Sequence, residues 1–214
     1  MAKHTFKMSD VTPDARVLAR SALGYDFNYY ADAETLLFGS TDETAFRMQN
    51  ITPGTGISTG TNTVYKANVT VAGDLIKTEI LIDLTGLNSS AADDIIGKQA
   101  TANCHIGQIT SALCGTIFAG TFQSLETPTG GEPDIDLYAA TEATGTEDTA
   151  ITGLAETKLL DLNADLSASN LGTPFVLSAF PAADQYLYLV GSGGGTDDIY
   201  TAGKLLITLY GQPA

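Results

Sequence analysis

The amino-acid sequence predicts an all-β protein, an antiparallel β-sandwich of jelly-roll type with an extended N-terminal arm and at most one or two short helices. About eight short segments rich in β-branched residues are separated by turns that contain glycine or proline. Helices of ten or more residues between the strands, which a parallel α/β sheet requires, are absent from the pattern. The hydrophobic fraction of 43% over 214 residues is enough for one full-sized core.

The predicted strands lie between residues 64 and 210. In Thr78–Leu84 the residues Ile80, Ile82 and Leu84 share one side, and acidic residues occupy the other, as in a half-buried strand. The other predicted strands are Val64–Val71, His105–Thr110, Thr116–Leu125, Ile135–Ala139, Phe175–Ser178, Tyr186–Val190 and Leu205–Tyr210. One short helix is predicted at Ala91–Ile96, capped by Ser89 or Ser90 and ended by Gly97.

Residues 1–60 are predicted to form an arm or irregular cover, and residues 61–214 the sandwich domain. Short apolar pieces of the arm alternate with polar, turn-rich sequence, although Thr35–Gly39 and the tyrosine patch around Tyr25 allow strands. The first twenty residues are locally cationic on an acidic chain, which favours contacts between copies or with an acidic partner. A solvated tail is the alternative. The candidate interface residues of the arm are Lys3, Lys7, Arg16, Arg20, Tyr25, Tyr29 and Tyr30.

The charge balance excludes two classes of partner. A net charge of −15 and a pI near 4.2 argue against nucleic-acid binding and against anionic membrane surfaces, because both need clustered lysine and arginine. No apolar stretch approaches the ~20 residues of a membrane span, and the N-terminus lacks the apolar segment of a signal peptide. We therefore expect synthesis in the cytoplasm, with Cys104 and Cys114 as small buried side chains.

Acidic pairs are the best candidates for a chemical site. Asp134 and Asp136 alternate around Ile135, and Glu147 and Asp148 lie in a predicted loop; loop carboxylates of this kind can bind calcium. A glycosidase would need two carboxylates across a groove, and solvated turns explain the same residues more simply. Zinc at Cys104 and His105 is disfavoured because neighbouring strand residues point to opposite faces. We expect no catalytic residue and no cofactor.

Tyr186 and Tyr188 share one face of a predicted strand, with Leu187 and Leu189 on the other. If the leucines face the core, the tyrosines are left near the surface, where they suit an interface. Ordinary cross-strand packing is the alternative.

Four segments combine strand and turn residues: Asp83–Ala91, Gly115–Gly120, Glu126–Tyr138 and Tyr200–Ile207. They resemble segments of the virion structural proteins of tailed bacteriophages, particularly marine ones, and the resemblance spans about residues 78–210. The shared motifs are strands and turns, so they transfer no functional residues. The resemblance implies a component of a phage particle.

Within such a particle, the length and the absence of a long helix disfavour a major shell protein. The resemblance instead implies a capsid decoration or cement protein, present on the capsid surface and bound to the major capsid protein and other virion proteins. A homo-oligomer is expected, with a trimer favoured because capsids offer three-fold positions. The alternative function is a receptor- or glycan-binding module of a tail or fibre, and a hydrolase ranks last.

Overall fold

The structure is a computed structural model that describes residues 51–58, 63–89, 91–193 and 198–213, together with the backbone of three strands within residues 18–40. Those strands are β1 (Leu18–Arg20), β2 (Tyr25–Tyr29) and β3 (Leu36–Ser40), paired antiparallel in that order. Strands thus occur in both parts of the arm where the sequence allows them.

Two antiparallel sheets form the sandwich. The five-stranded sheet has the order β11 (Phe175–Val176), β8 (Thr116–Thr129), β14 (Ala202–Gln212), β5 (Leu75–Asp83) and β4 (Tyr65–Ala72). The four-stranded sheet has the order β10 (Glu156–Leu160), β9 (Ile135–Ala140), β12 (Gln185–Gly191) and β7 (Gly107–Ile109). Two short strands, β6 (Asn88–Ser89) and β13 (Asp198–Ile199), pair with each other.

The strand pairing is that of a jelly roll. Of the eight strands β5, β7, β8, β9, β10, β11, β12 and β14, the first pairs with the last, the second with the seventh, the third with the sixth and the fourth with the fifth. This nested pairing is a long hairpin wound into two sheets. The predicted all-β, jelly-roll-like sandwich is confirmed.

The core lies between the two sheets. Ile80 and Ile82 of β5 and Leu205 of β14 meet Leu187 and Leu189 of β12, and all five are 0% exposed. Each such side chain contributes about 1.5–3 kcal/mol when it is fully buried. The alternation in Thr78–Leu84 therefore predicts the buried side of β5 correctly.

Residues 51–58 close one open side of the sandwich. Ile51 and Ile57 belong to the core at 4% and 0% exposure, and helix α1 (Thr55–Ser58) follows Gly54. Gly54 N donates to His105 O at 2.9 Å, and Lys98 N donates to Gly56 O at 2.7 Å. The packed domain therefore includes residues 51–58, which the predicted boundary at residue 60 assigned to the arm.

The helix predicted at Ala91–Ile96 is wrong. Asp93 has a positive φ of 65°, and Ile95 forms a β-bridge with Val190. In the extended backbone both Ile95 and Ile96 are 0% exposed. A short helix packed on one side could not bury both of these neighbouring side chains completely. The short α-helices of the described residues are α1 and α2 (Ser111–Cys114), and a single 3-10 turn lies at Ile151–Gly153. None of these described helices has the length and apolar content needed to cross a membrane.

Candidate functional site

The outward face of the four-stranded sheet is covered by the chain itself. Segments 91–105 and 141–155 pack on it and form a second apolar cluster, which we call the outer cluster. Its members are Ile95, Cys104, Tyr138, Ala140, Ile151, Tyr188 and Val190, all at most 5% exposed. Most of this face is therefore closed to a partner.

Tyr188 lies in the middle of the outer cluster. Its ring is 0% exposed, and its hydroxyl donates to Glu142 O at 2.6 Å while accepting from Gly145 N at 3.3 Å. Burial raises the pKa of Tyr188 to about 12. The expectation that Tyr188 lies near the surface as an interface residue is wrong, because segments 91–105 and 141–155 cover it. These two segments could not be predicted from the strand alone.

Tyr186 remains half-buried at the margin of this cluster, next to His105. The two ring centroids are 4.8 Å apart, and burial lowers the pKa of His105. His105 Nδ1 has no hydrogen-bond partner among the described residues. The arrangement is an aromatic contact, and among the described residues no carboxylate or thiol is hydrogen-bonded to Nδ1 to activate the imidazole.

Asp136 is a buried carboxylate held by the chain's own donors. Leu162 N donates to Oδ1 at 2.8 Å, and Lys158 Nζ lies 3.0 Å from Oδ2. The Lys158 ammonium also lies 5.3 Å from the ring centroid of Tyr138. Burial lowers the pKa of Lys158, but hydrogen bonds and charges from Tyr138 and Asp136 outweigh it and leave the pKa raised. This is a structural ion pair between β9 and β10.

Asp134 lies beside Asp136 in an acidic environment. Burial, and then the negative charges of Asp136 and Glu132, raise the pKa of Asp134. Its Oδ1 is buried without a hydrogen-bond partner among the described residues, and its backbone is held by Ser192 N, which donates to Asp134 O at 2.8 Å.

Glu147 and Asp148 do not join this pair. Glu147 is buried and accepts hydrogen bonds from Asn88 Nδ2 at 2.6 Å and Ala100 N at 2.8 Å. Asp148 occupies an exposed turn with a φ of 59°. Across the described ranges, no three or more His, Cys, Asp or Glu side chains are grouped to hold a metal ion. The four calcium candidates are thus not assembled into one site.

Both cysteines are free and 0% exposed, as the sequence predicts. Burial raises the pKa of Cys104 to about 12 and raises that of Cys114 above its ordinary value. Thiolate chemistry is therefore suppressed at both positions.

A cavity of about 240 Å³ lies where residues 51–53 meet β4. It is lined by Ile51, Thr52, Pro53, Tyr65, Lys66 and Ala67, and the Tyr65 hydroxyl donates to Ile106 O at 2.7 Å. The lining has no carboxylate, thiol or imidazole, so it offers no acid–base pair for catalysis.

The outward face of the five-stranded sheet, which we call the exposed face, is different. Four of its side chains are large, apolar and 42–72% exposed: Leu75, Phe118, Leu125 and Val176. Between them lie three half-buried side chains: Leu81 of β5 is opposite Leu206 of β14, and Tyr210 of β14 is opposite Lys77. Sequence reasoning missed this surface, although the odd-numbered positions of β5 carry both the apolar and the charged residues that compose it.

Most of the predicted arm interface cannot be placed. Lys3, Lys7, Arg16 and Tyr30 lie outside the described residues. Arg20 pairs with Asp26, Tyr25 with Ser40 and Tyr29 with Leu36 in the backbone register of β1–β3. Their role at an interface stays a prediction.

Comparisons with protein-family models, with curated proteins and with solved structures give no match to this chain.

Proposed function

We propose that this chain is a non-enzymatic structural component of a phage virion, in particular a capsid decoration protein that binds the outer shell and stabilises it. The observation that carries the proposal is a jelly roll in which two of the buried carboxylates, Asp136 and Glu147, are each held by donors of the chain itself. Asp136 is paired with Lys158, and Glu147 with Asn88 and a backbone amide. Such a domain suits work by shape and surface, and jelly rolls are common in viral capsid proteins.

The attachment is assigned to the arm. Residue 51 enters the sandwich beside β4, the edge strand of the five-stranded sheet among the described residues, with fifty residues ahead of it in the sequence. The first twenty residues hold four cationic and two acidic side chains, whereas residues 51–214 hold five lysines and eighteen acidic residues. A locally cationic arm on a strongly acidic body can follow acidic grooves of a shell while the body stands away from it.

Particle binding can be tested directly. Particles are purified on a density gradient from the cells that produce this chain, and cryo-electron microscopy locates the chain on them. Particles made without the chain are then mixed with the full chain or with a chain that lacks residues 1–45. We expect the full chain to sediment with shells and to raise the temperature at which they release their genome, and the shortened chain to do neither.

Two results would contradict the proposal. A chain that stays at the top of the gradient in every mixture is not a virion component. A chain found only at a tail or fibre tip would overturn the decoration role and favour the receptor-binding alternative, which a glycan array then tests. Equal binding by the shortened chain would show that the arm is not the attachment.

A further inference from the structure

The exposed face carries large apolar side chains that the described part of the chain leaves without a cover. The outer cluster removes the equivalent apolar residues of the four-stranded sheet from water, whereas Val176 is 72% exposed and Phe118 is 49% exposed. Val176 is paired with Thr121, and Thr121 with Thr208, so apolar and polar side chains are mixed across this face. Several large apolar side chains exposed among polar ones on one sheet face mark an interaction surface.

The exposed face is also electrically neutral, unlike the rest of the domain. Three of the five lysines of residues 51–214 lie on it together with three acidic residues: Lys66, Lys77, Lys204, Glu79, Asp83 and Glu126. Lys77 Nζ lies 2.6 Å from Glu79 Oε1, and Lys204 Nζ lies 3.5 Å from Asp83 Oδ2. The other fifteen acidic residues of the domain lie elsewhere, with only two lysines.

The opposite side of the sandwich carries much of that negative charge. The two covering segments hold Asp93, Asp94, Glu142, Glu147 and Asp148 against one lysine, Lys98. Two sheets of a sandwich lie about 10 Å apart, so these acids are separated from the exposed face by more than the ~8 Å Debye length of physiological salt. Two copies that meet through the exposed face would thus keep their strongest like charges screened from each other.

The area is sufficient for a specific contact. The five strands of this sheet have 2, 14, 11, 9 and 8 residues. With a rise of about 3.4 Å per residue and strands about 4.8 Å apart, the whole sheet face measures roughly 700 Å². Contact over most of this face would bury roughly 550–600 Å² per copy, so a pair of copies buries about 1,100–1,200 Å², above the ~1,000 Å² expected of a specific interface. Tyr210 and Phe118 are residue types enriched at such interfaces.

We infer that the exposed face of the five-stranded sheet is the surface on which a second copy of this chain docks. Its neutrality favours another copy of the same acidic chain over a cationic partner, which would bind the acidic side instead. The contact is packing of a mixed sheet face, in which Leu206 and Tyr210 of β14 pack beside the lysine and acidic pairs of β5 and β14. This inference does not depend on the virion role, because a chain of any function could associate in this way.

The test is the mass of the full chain in solution. Sedimentation velocity and light scattering are measured from 1 to 100 µM for the wild type and for the double variant Phe118→Lys/Val176→Lys. We expect an oligomer for the wild type, and for the variant a shift toward the 22.3 kDa monomer, with an apparent Kd raised at least tenfold. Because Phe118 is 49% exposed and Val176 is 72% exposed, the circular dichroism spectrum and the unfolding midpoint of the variant should stay close to those of the wild type.

The matched control is the double variant Phe180→Lys/Ile199→Lys. Phe180 is 39% exposed and Ile199 is 44% exposed, and neither lies on the exposed face. Phe180 lies near the other sheet, because the N–H groups of the preceding Ser178 and Ala179 donate to Leu159 O of β10. The control adds the same two charges and should leave the mass of the oligomer unchanged. Raising NaCl to 0.5 M should also leave it intact, since apolar packing is not weakened by salt.

A wild type that is monomeric over the whole concentration range would overturn the inference. An oligomer that the Phe118→Lys/Val176→Lys variant leaves intact, or that both double variants dissociate equally, would also overturn it. Dissociation of the wild type by 0.5 M NaCl would assign the contact to the cationic arm on an acidic body instead of to this face.

Discussion

Replacing Lys158 with methionine tests the buried ion pair that joins β9 and β10. Lys158 Nζ lies 3.0 Å from Asp136 Oδ2; the Asp136 side chain is 1% exposed and that of Lys158 is 34% exposed. Methionine keeps most of the apolar stem but removes the charge. The Asp136 carboxylate would then keep the hydrogen bond from Leu162 N and lose its cation.

The expected cost is large for a single substitution. Removing one partner of a buried ion pair costs about 3–5 kcal/mol, since the other charge stays buried without compensation. Water reaches the lysine end of this pair, so we expect a loss near the lower limit, about 3 kcal/mol. For a domain of this size that corresponds to a decrease in Tm of roughly 6–12 °C.

Urea unfolding followed by circular dichroism, at one protein concentration for all variants, measures the loss. The control is Lys77→Met, which breaks an exposed pair with Glu79 whose side chains are 37% and 33% exposed, and which should cost about 0–1 kcal/mol. Adding Asp136→Asn to Lys158→Met should restore part of the stability, because a neutral amide needs no cation and still accepts from Leu162 N. If Lys158→Met costs no more than Lys77→Met, or if the double variant is no better than Lys158→Met alone, the reasoning is refuted.

Three further predictions concern the packing and titration of single residues. Gly56→Ala would place a methyl group 2.3 Å from Cys104 Sγ and should destabilise the domain by about 2–3 kcal/mol. Gly153→Ala is the control, because nothing lies within 4 Å of the added carbon, and it should be close to neutral in the same unfolding assay. Equal effects of the two substitutions would contradict the packing of residues 51–58. Cys104 and Cys114 should resist Ellman's reagent in the native protein and both react in urea, and rapid native labelling would show that the thiols are accessible. Because folding raises the pKa of Asp134, its ionisation weakens the fold as the pH rises above the unfolded value of about 4. Asp134→Asn should therefore stabilise the protein at pH 7 and leave its stability at pH 3 unchanged, and a loss of stability at pH 7 would contradict this.

The fold could be predicted from the sequence where burial alone sets the pattern. The alternation of Ile80 and Ile82 with acidic residues follows from one buried face, and this face is buried in β5. Strand β10 could not be found in this way. Its sequence Glu156-Thr-Lys-Leu-Leu lacks alternation, because Lys158 turns toward a buried carboxylate and a register irregularity follows it.

The candidate site was harder to predict, because its features depend on contacts between distant parts of the chain. The sequence places Asp134 and Asp136 on one face but gives no sign that Lys158, 22 residues later, neutralises Asp136. The strand pattern likewise leaves Tyr186 and Tyr188 uncovered, whereas in the structure segments 91–105 and 141–155 bury Tyr188 and half-bury Tyr186. Local pattern predicts which face of a strand is apolar, and only the tertiary structure decides what covers that face.

The nested pairing of the strands has a consequence for how the protein is made. β14, the last of the described strands in chain order, occupies the middle of its sheet and forms its ladders with β5 and β8, which are synthesised long before it. Until β14 emerges, the edges of both partners that face it are open and the interior is incomplete, so these strands are exposed to aggregation up to that point. The sandwich should therefore form only after residue 212 has emerged, and slowly, as expected for a topology of high contact order; a nascent chain stalled before residue 202 should remain sensitive to protease.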